Sequence, residues 1–297
     1  AVAGGAAAQA PVSGLDVAGM DRSLRPGDDF FGYANGGWLQ TATIPPDRSS
    51  YGAFNVAFDR TEPRLAEIVE GAVKADAPAG TEVRKIGDYY ASFLDSATID
   101  ARGLAPLRPT LDRIASIGTR TDLARFLGGT LRADVDVFNA TDLQTENLFG
   151  LRVAQDLDEP TRYAPFLLQG GLGLPDREYY LDIAPRMATI RERYQAHVAA
   201  MLTLAGIADA EAKAGTIVAL ETRIAEVHWT REASQDPGKG NNHWARHDFP
   251  ALAPGLDWTT YFDAAGLGAQ RSFVVWQPSA VTGLSALTAS ASLETWK

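Results

Sequence analysis

Residues 185–229 constrain this chain more than any other stretch. Met187, Ile190, Tyr194, Val198, Met201 and Leu202 recur at helical spacing over about Pro185 to Ala205. Ile217, Leu220, Ile224 and Val227 do the same over about Asp209 to Trp229. Apolar residues at i, i+3 and i+4 mark a helix with one buried face. Two such helices in sequence commit much of the chain to helix packing. Shorter segments agree. Leu65, Ile68, Val69 and Val73 predict a helix with Thr61 as a cap and Pro63 in its first turn. Val83, Ile86, Tyr90, Phe93 and Leu94 predict one over Glu82–Asp95, Leu104 to Ile117 another, and Asp122–Arg132 a short one. LDWTTYFDAAG reads as a further short helix.

The period changes to two in VDVFNATDL and NLFGLRVAQDL, which predicts a hairpin to which TRYAPFLLQ can add. SFVVWQP reads as a short strand. The chain then runs through LSALTASASLETWK, where the last residues read as a helix beginning and predict a longer native chain. The fold class is mainly α with a small β-hairpin element.

Composition narrows function. A net charge of −10 argues against nucleic acid, which needs clustered Lys and Arg, and against an anionic membrane surface. No segment approaches the ~20 apolar residues of a membrane span. The absence of cysteine removes thiol catalysis, disulfides and thiolate metal sites. The opening AVAGGAAAQA ends in an A-x-A pattern like the tail of a secretory signal, which predicts export, a plain Ala/Gly leader being the alternative.

Candidate chemistry is sparse. His243 and His247, in NNHWARHD, have the i, i+4 spacing of a zinc pair on a helix. However, Trp244 stands where a catalytic Glu should follow the first ligand, and Arg246 is a fixed cation inside the motif. The Asn, Pro and Gly neighbours predict a loop, so the pair reads as two loop histidines. His197, His228 and Glu221 lie on the two long helices and could meet between them, a polar pair satisfied at a helix interface being the simpler reading. Gly170, Gly171 and Gly173 form no phosphate loop, because Pro175 removes an amide and no G-x-G-x-x-G register exists. Asp28-Asp29 and Asp156/Asp158/Glu159 read as solvated loop charges. The residues by themselves therefore give no complete active site.

Longer stretches carry a resemblance. Pro26-Gly27-Asp28-Asp29-Phe30-Phe31, Tyr33, Gly36-Gly37-Trp38-Leu39, Ile44-Pro45 and Tyr51-Gly52-x-Phe54 occur in order. Leu172-Gly173-Leu174-Pro175-Asp176-Arg177-Glu178-Tyr179-Tyr180, the Glu221–Ala225 stretch and Asp236-Pro237-x-Lys239 follow. Over residues 20–297 the chain resembles the N-terminal region of the neprilysin family of zinc metalloendopeptidases, which includes endothelin-converting enzyme and bacterial oligopeptidase O.

The resemblance implies two mainly helical lobes: a zinc-holding catalytic lobe, and a capping lobe that admits only peptides to a central cavity. It implies metal-assisted amide hydrolysis, with zinc, the H-E-x-x-H helix and the base all supplied by a part beyond residue 297. This chain is then expected to hold no metal ligand and no catalytic residue. Its partners are peptide substrates and the C-terminal catalytic lobe, and its place is periplasmic or secreted in a bacterium. Residues 1–19 are expected to be a flexible exported N-terminus, 20–60 to pack against the catalytic lobe, and 61–297 to form the capping lobe and the start of the connection. Apolar surface is expected where that lobe docks. Phe54 matches an aromatic lining a substrate pocket, and Asn55 stands where neprilysin has an Asp. Ser50 and Phe58 occupy the places of two carboxylate-binding arginines, which predicts endopeptidase preference. Asn35 replaces a cysteine of animal members. The rival reading is a non-catalytic helical module that binds a peptide or a partner.

Overall fold

Asp29 starts the first helix by accepting the Gly32 amide at 2.8 Å, the side-chain cap that an exposed helix start requires. The computed structural model describes residues 15–46, 50–131 and 145–297. Its described residues fall into two units, one up to Ala101 and one from Arg102.

The first unit contains α1 (Phe30–Thr41), α2 (Ala53–Lys74), α3 (Glu82–Leu94) and most of α4 (Ser96–Arg102). Two of these differ from the expectation. Helix α1 lies in a stretch whose Gly and aromatic content gives no helical period. Helix α2 begins at Ala53, eight residues before Thr61, and Pro63 sits inside it. The start signal is Asn55, whose side chain accepts the Gly52 amide at 3.0 Å. Thr61 instead turns its hydroxyl back to the Ala57 carbonyl at 2.8 Å. Helices α2 and α3 approach closely at Gly87, which lies against the Ala72 carbonyl. Much of their apolar surface stays open: Phe54, Phe58, Leu65, Ile68, Tyr89 and Phe93 are all exposed.

The second unit holds the core. The predicted helix over 104–117 is broken into a 3-10 turn at 105–107 and α5 (Arg108–Ala115), followed by α6 (Arg120–Thr130). Strands β1 (Phe149–Gln155) and β2 (Tyr163–Gln169) pair antiparallel from Phe149↔Gln169 to Gln155↔Tyr163. The hairpin therefore joins NLFGLRVAQDL to TRYAPFLLQ, while VDVFNATDL lies outside the described residues. The long helices are α7 (Pro185–Leu204) and α8 (Ala210–Val227), close to the predicted bounds. Leu220 and Ile224 are buried, but no residue of α7 is, and Met201 is 52% exposed. Strand β3 (His243–Ala245) replaces the expected loop, and α9 (Trp258–Ala264) and β4 (Ser272–Val275) match the prediction. Helix α10 (Pro278–Ser290) was not expected from its Ala, Ser, Thr and Gly content.

The sheet order is β1-β2-β4-β3, with β4 parallel to β2 and antiparallel to β3. An aromatic cluster fills the space beside it. Phe249 meets Trp258 at 4.8 Å between ring centroids, and Phe262 stacks on Phe273 at 4.5 Å. At the end of β2 the polar backbone is closed by side chains. Gln277, fully buried, accepts the Gln169 amide at 3.0 Å and donates to Ser234 Oγ at 3.3 Å. Among the described residues no helix is long and apolar enough to cross a membrane.

Candidate functional site

Phe54 and Phe58 stand one turn apart on α2, with side chains open to solvent. Asn55 beside them is held by its bond to the Gly52 amide, and Tyr51 donates its hydroxyl to Asp59 at 2.8 Å. A short, ordered platform with two projecting phenyl rings results. It carries no arginine at Ser50 or Phe58 to grip a carboxylate.

The histidine pair at 243 and 247 is not a pair in space of the kind a helix provides. His243 belongs to β3 and His247 to a 3-10 turn at 246–248. Nε2 of His247 lies 3.3 Å from Asp248. Arg246 is tied down between the two histidines, donating to the Gly268 carbonyl and to Asp263 Oδ1 at 2.7 Å. His243 turns toward the β1–β2 connection, with Nε2 3.1 Å from Asp158 Oδ2 and 3.7 Å from Asp156 Oδ1. These acids are thus not merely solvated charges. The candidate ligand atoms of Asp156, Asp158 and His243 lie within 4.8 Å of one another.

This group does not fit the zinc that the sequence resemblance implies. Asp156 Oδ1 already accepts the amides of Asp158 at 2.9 Å and Glu159 at 3.3 Å. Those bonds, the Asp158 amide first, hold its carboxyl below the usual range against desolvation. Asp158 Oδ1 is taken by the Asn241 amide at 2.8 Å. No Glu stands beside His243 to act as a base. The arrangement ties the hairpin turn to β3 through side-chain contacts of Asp158 with His243 and Asn241.

The three groups on the long helices are likewise separated. His197 is exposed. His228 is buried, with Nε2 3.0 Å from the Gly170 carbonyl. Burial pushes its imidazole down to about 4, so it is neutral at pH 7 and donates from Nε2. Glu221 is satisfied by phenols rather than by a histidine. Tyr180 donates to its Oε2 at 2.8 Å and Tyr194 to its Oε1 at 3.0 Å. Burial raises all three groups above their ordinary values. The Gly-rich loop before Tyr180 packs against this cluster, with Gly173 against Tyr194 and Glu221.

The N-terminal sequence profile of peptidase family M13 matches residues 26–297. The chain belongs to peptidase family M13. Endothelin-converting enzyme-like 1 of Mus musculus is 28% identical over 254 residues, covering 83% of this chain and 32% of that protein. Zinc metalloprotease Zmp1 of Mycobacterium tuberculosis, solved with an inhibitor, superposes with a TM-score of 0.77 at 34% identity, covering 96% of this chain and 42% of that one. PepO of Lactobacillus rhamnosis shares the fold at a TM-score of 0.63 and 16% identity, covering 92% of this chain and 41% of that one. The chain spans about a third of the length of the curated relatives it matches. As an M13 chain it is related to zinc metallopeptidases, and its mostly helical fold with a small sheet is theirs. Its 297 residues contain no H-E-x-x-H.

Proposed function

We propose that these residues are the substrate-sieving, peptide-positioning N-terminal part of an exported zinc metalloendopeptidase that cleaves oligopeptides. The observation that carries this reading is the M13 match over residues 26–297, in a chain covering less than half of its solved relative. On this reading zinc and the catalytic base come from a C-terminal lobe. Residues 20–60 pack against that lobe, and residues 61–297 cap the cavity and begin the connection. The exposed apolar side chains of α2 and α3 favour a covering partner of this kind. The protein works in the periplasm or outside the cell.

The intact source protein is expected to be longer, to hold one zinc and to cleave an internally quenched oligopeptide. These 297 residues alone are expected to bind no zinc and cleave nothing. Elemental analysis and a fluorescence assay on both give the answer. Stoichiometric zinc on the 297 residues sinks the reading. So does an intact protein of this length, without a partner carrying H-E-x-x-H, that binds peptides but does not hydrolyse them.

Phe54 lines a pocket for a substrate side chain on this reading, and Asn55 flanks it. With Ser50 and Phe58 in place of arginines, no charge-assisted grip on a terminal carboxylate exists here. The intact enzyme is therefore expected to cleave a free-acid peptide and its C-terminal amide with kcat/KM within about threefold of each other. A charged hydrogen bond is worth roughly 1.5–3 kcal/mol, so a preference of tenfold or more for the free acid contradicts this assignment.

A further inference from the structure

Helix α2 keeps one face free of charge along its whole length. Phe54, Phe58, Thr61, Leu65, Ile68 and Ala72 follow one another at alternating steps of four and three, the seam spacing of a helix that packs lengthwise on a partner. Charged residues from Asp59 to Lys74 stand only between these positions. Thr61, the one polar member, turns its hydroxyl back to the Ala57 carbonyl. The seam is nevertheless open to solvent, with Ile68 62% and Leu65 54% exposed. Helix α3 meets α2 at Ala72 and Val73, near the C-terminal end of the seam. It brings more open apolar surface of its own, since Ile86, Tyr89 and Phe93 share a face and are all exposed.

This unit has caps but no core. Asp29, Asn55 and Thr81 start its three longer helices with side-chain hydrogen bonds. Among its described residues only Gly19 and Gly87 are buried, so it buries no side chain at all. The buried apolar side chains, from Ile117 onward, belong to the unit from Arg102. Capping selects a helix, but packing of an apolar face supplies most of its stability in water. Three capped helices without a core are therefore marginal until something covers them.

We infer that the α2 seam and the apolar face of α3 are the docking surface for polypeptide that follows Lys297 in the intact protein, and that the first unit becomes fully stable only on that contact. The inference rests on the function proposed above and deepens it. The seam crosses residue 60 without a break, so the contact runs on to about residue 94. Relatives supply the length: this chain covers 42% of Zmp1 and 32% of endothelin-converting enzyme-like 1, so more than half of each relative lies outside the match. The chemistry selects the occupant. A contiguous, uncharged apolar surface calls for the apolar side chains of a folded partner rather than for solvent or a charged ligand.

Hydrogen exchange read by mass spectrometry on the 297-residue chain and on the intact protein tests this. In the 297-residue chain, peptides covering 53–94 are expected to exchange at least about 100-fold faster than those covering β2 and α8. In the intact protein the same peptides are expected to slow by at least about 100-fold, while β2 and α8 change little. Ile68→Asp in the intact protein is expected to restore fast exchange over 53–94, and Glu67→Lys, on the charged face, to leave it slow. Slow exchange over 53–94 in the 297-residue chain overturns the inference, because that chain then covers the seam by itself. If this protection rises with concentration alongside a dimer mass by light scattering, a second copy is the occupant and the inference is again overturned. Fast exchange in the intact protein overturns it too. Zinc content and peptide cleavage of the intact protein are read separately. An inactive, zinc-free protein that still protects 53–94 fails the proposed function and keeps the docking surface, and an active one that leaves 53–94 fast does the reverse.

Discussion

Phe249→Ala is expected to destabilise the unit from Arg102 by about 3–5 kcal/mol, the cost of emptying a fully buried phenyl site. Phe249 is completely buried and its ring is shared by four others. Trp244 lies at 5.1 Å, Trp258 at 4.8 Å, Phe262 at 5.0 Å and Phe273 at 5.6 Å between centroids. These rings come from β3, α9 and β4, so they cannot all close on the cavity at once. Trp258 is also fixed by its indole bond to the Ala253 carbonyl at 2.7 Å. Urea unfolding followed by tryptophan fluorescence reads the effect, since five of the six tryptophans lie in this unit. Phe54→Ala is the matched comparison. At 81% exposure it is expected to cost under about 0.5 kcal/mol in the chain by itself. A loss below about 1 kcal/mol for Phe249→Ala would mean that the aromatic cluster is not the core.

Helix α8 was legible because its burial is one-sided. It buries Leu220 and Ile224 and shows its polar face, so its period is clean. Helix α10 fails the same test for a physical reason. Ala280, Val281, Leu284, Ser285, Leu287 and Thr288 are all buried, and half of them are small or polar. Ser285 bonds the Ala253 carbonyl at 2.7 Å and the Leu256 amide at 2.9 Å, so its hydroxyl is satisfied inside. A stripe read from large apolar residues misses such a helix. The start of α2 was misplaced because Thr61 and Pro63 are start signals in isolation, and Asn55 wins by capping a backbone that no sequence window shows.

The family was legible in the sequence, and the side-chain contacts were not. Ordered motifs over residues 20–58 and 172–180 led to the family that the profile match shows. The spacing of His243 and His247 invited a metal reading that the missing Glu and Arg246 opposed, and the structure gives each histidine its own acid. What the sequence could not show is pairing across long separations. His243 meets Asp158 through the closing of the sheet, and Glu221 meets Tyr180 and Tyr194 through helix packing. Glu221 and Tyr180 stood in recognisable motifs and Tyr194 on a predicted helix face, but nothing in their spacing says that they share hydrogen bonds.

Gly255→Ala is expected to cost about 3 kcal/mol or more, through two separable effects. Its φ is +130°, a backbone region that L side chains enter at a cost of about 1–3 kcal/mol. A Cβ would also run into the Ser285 carbonyl oxygen and lie 3.0 Å from the Cα of Ala286. That backbone belongs to α10 and cannot swing aside as a side chain can. Overpacking of this kind adds about 1–3 kcal/mol. Its neighbours leave no slack, because Ala253, Leu256 and Trp258 are buried around it and the Ser285 hydroxyl bridges two of their backbones. Gly206→Ala separates the terms. Gly206 has a φ of +72° with open space where its Cβ would go, so only the backbone term remains, about 1–2 kcal/mol. Urea midpoints for the two variants should therefore differ clearly, with Gly255→Ala the lower. Equal losses would show that α10 can move away from the 253–256 turn, and that its packing there is looser than these contacts require.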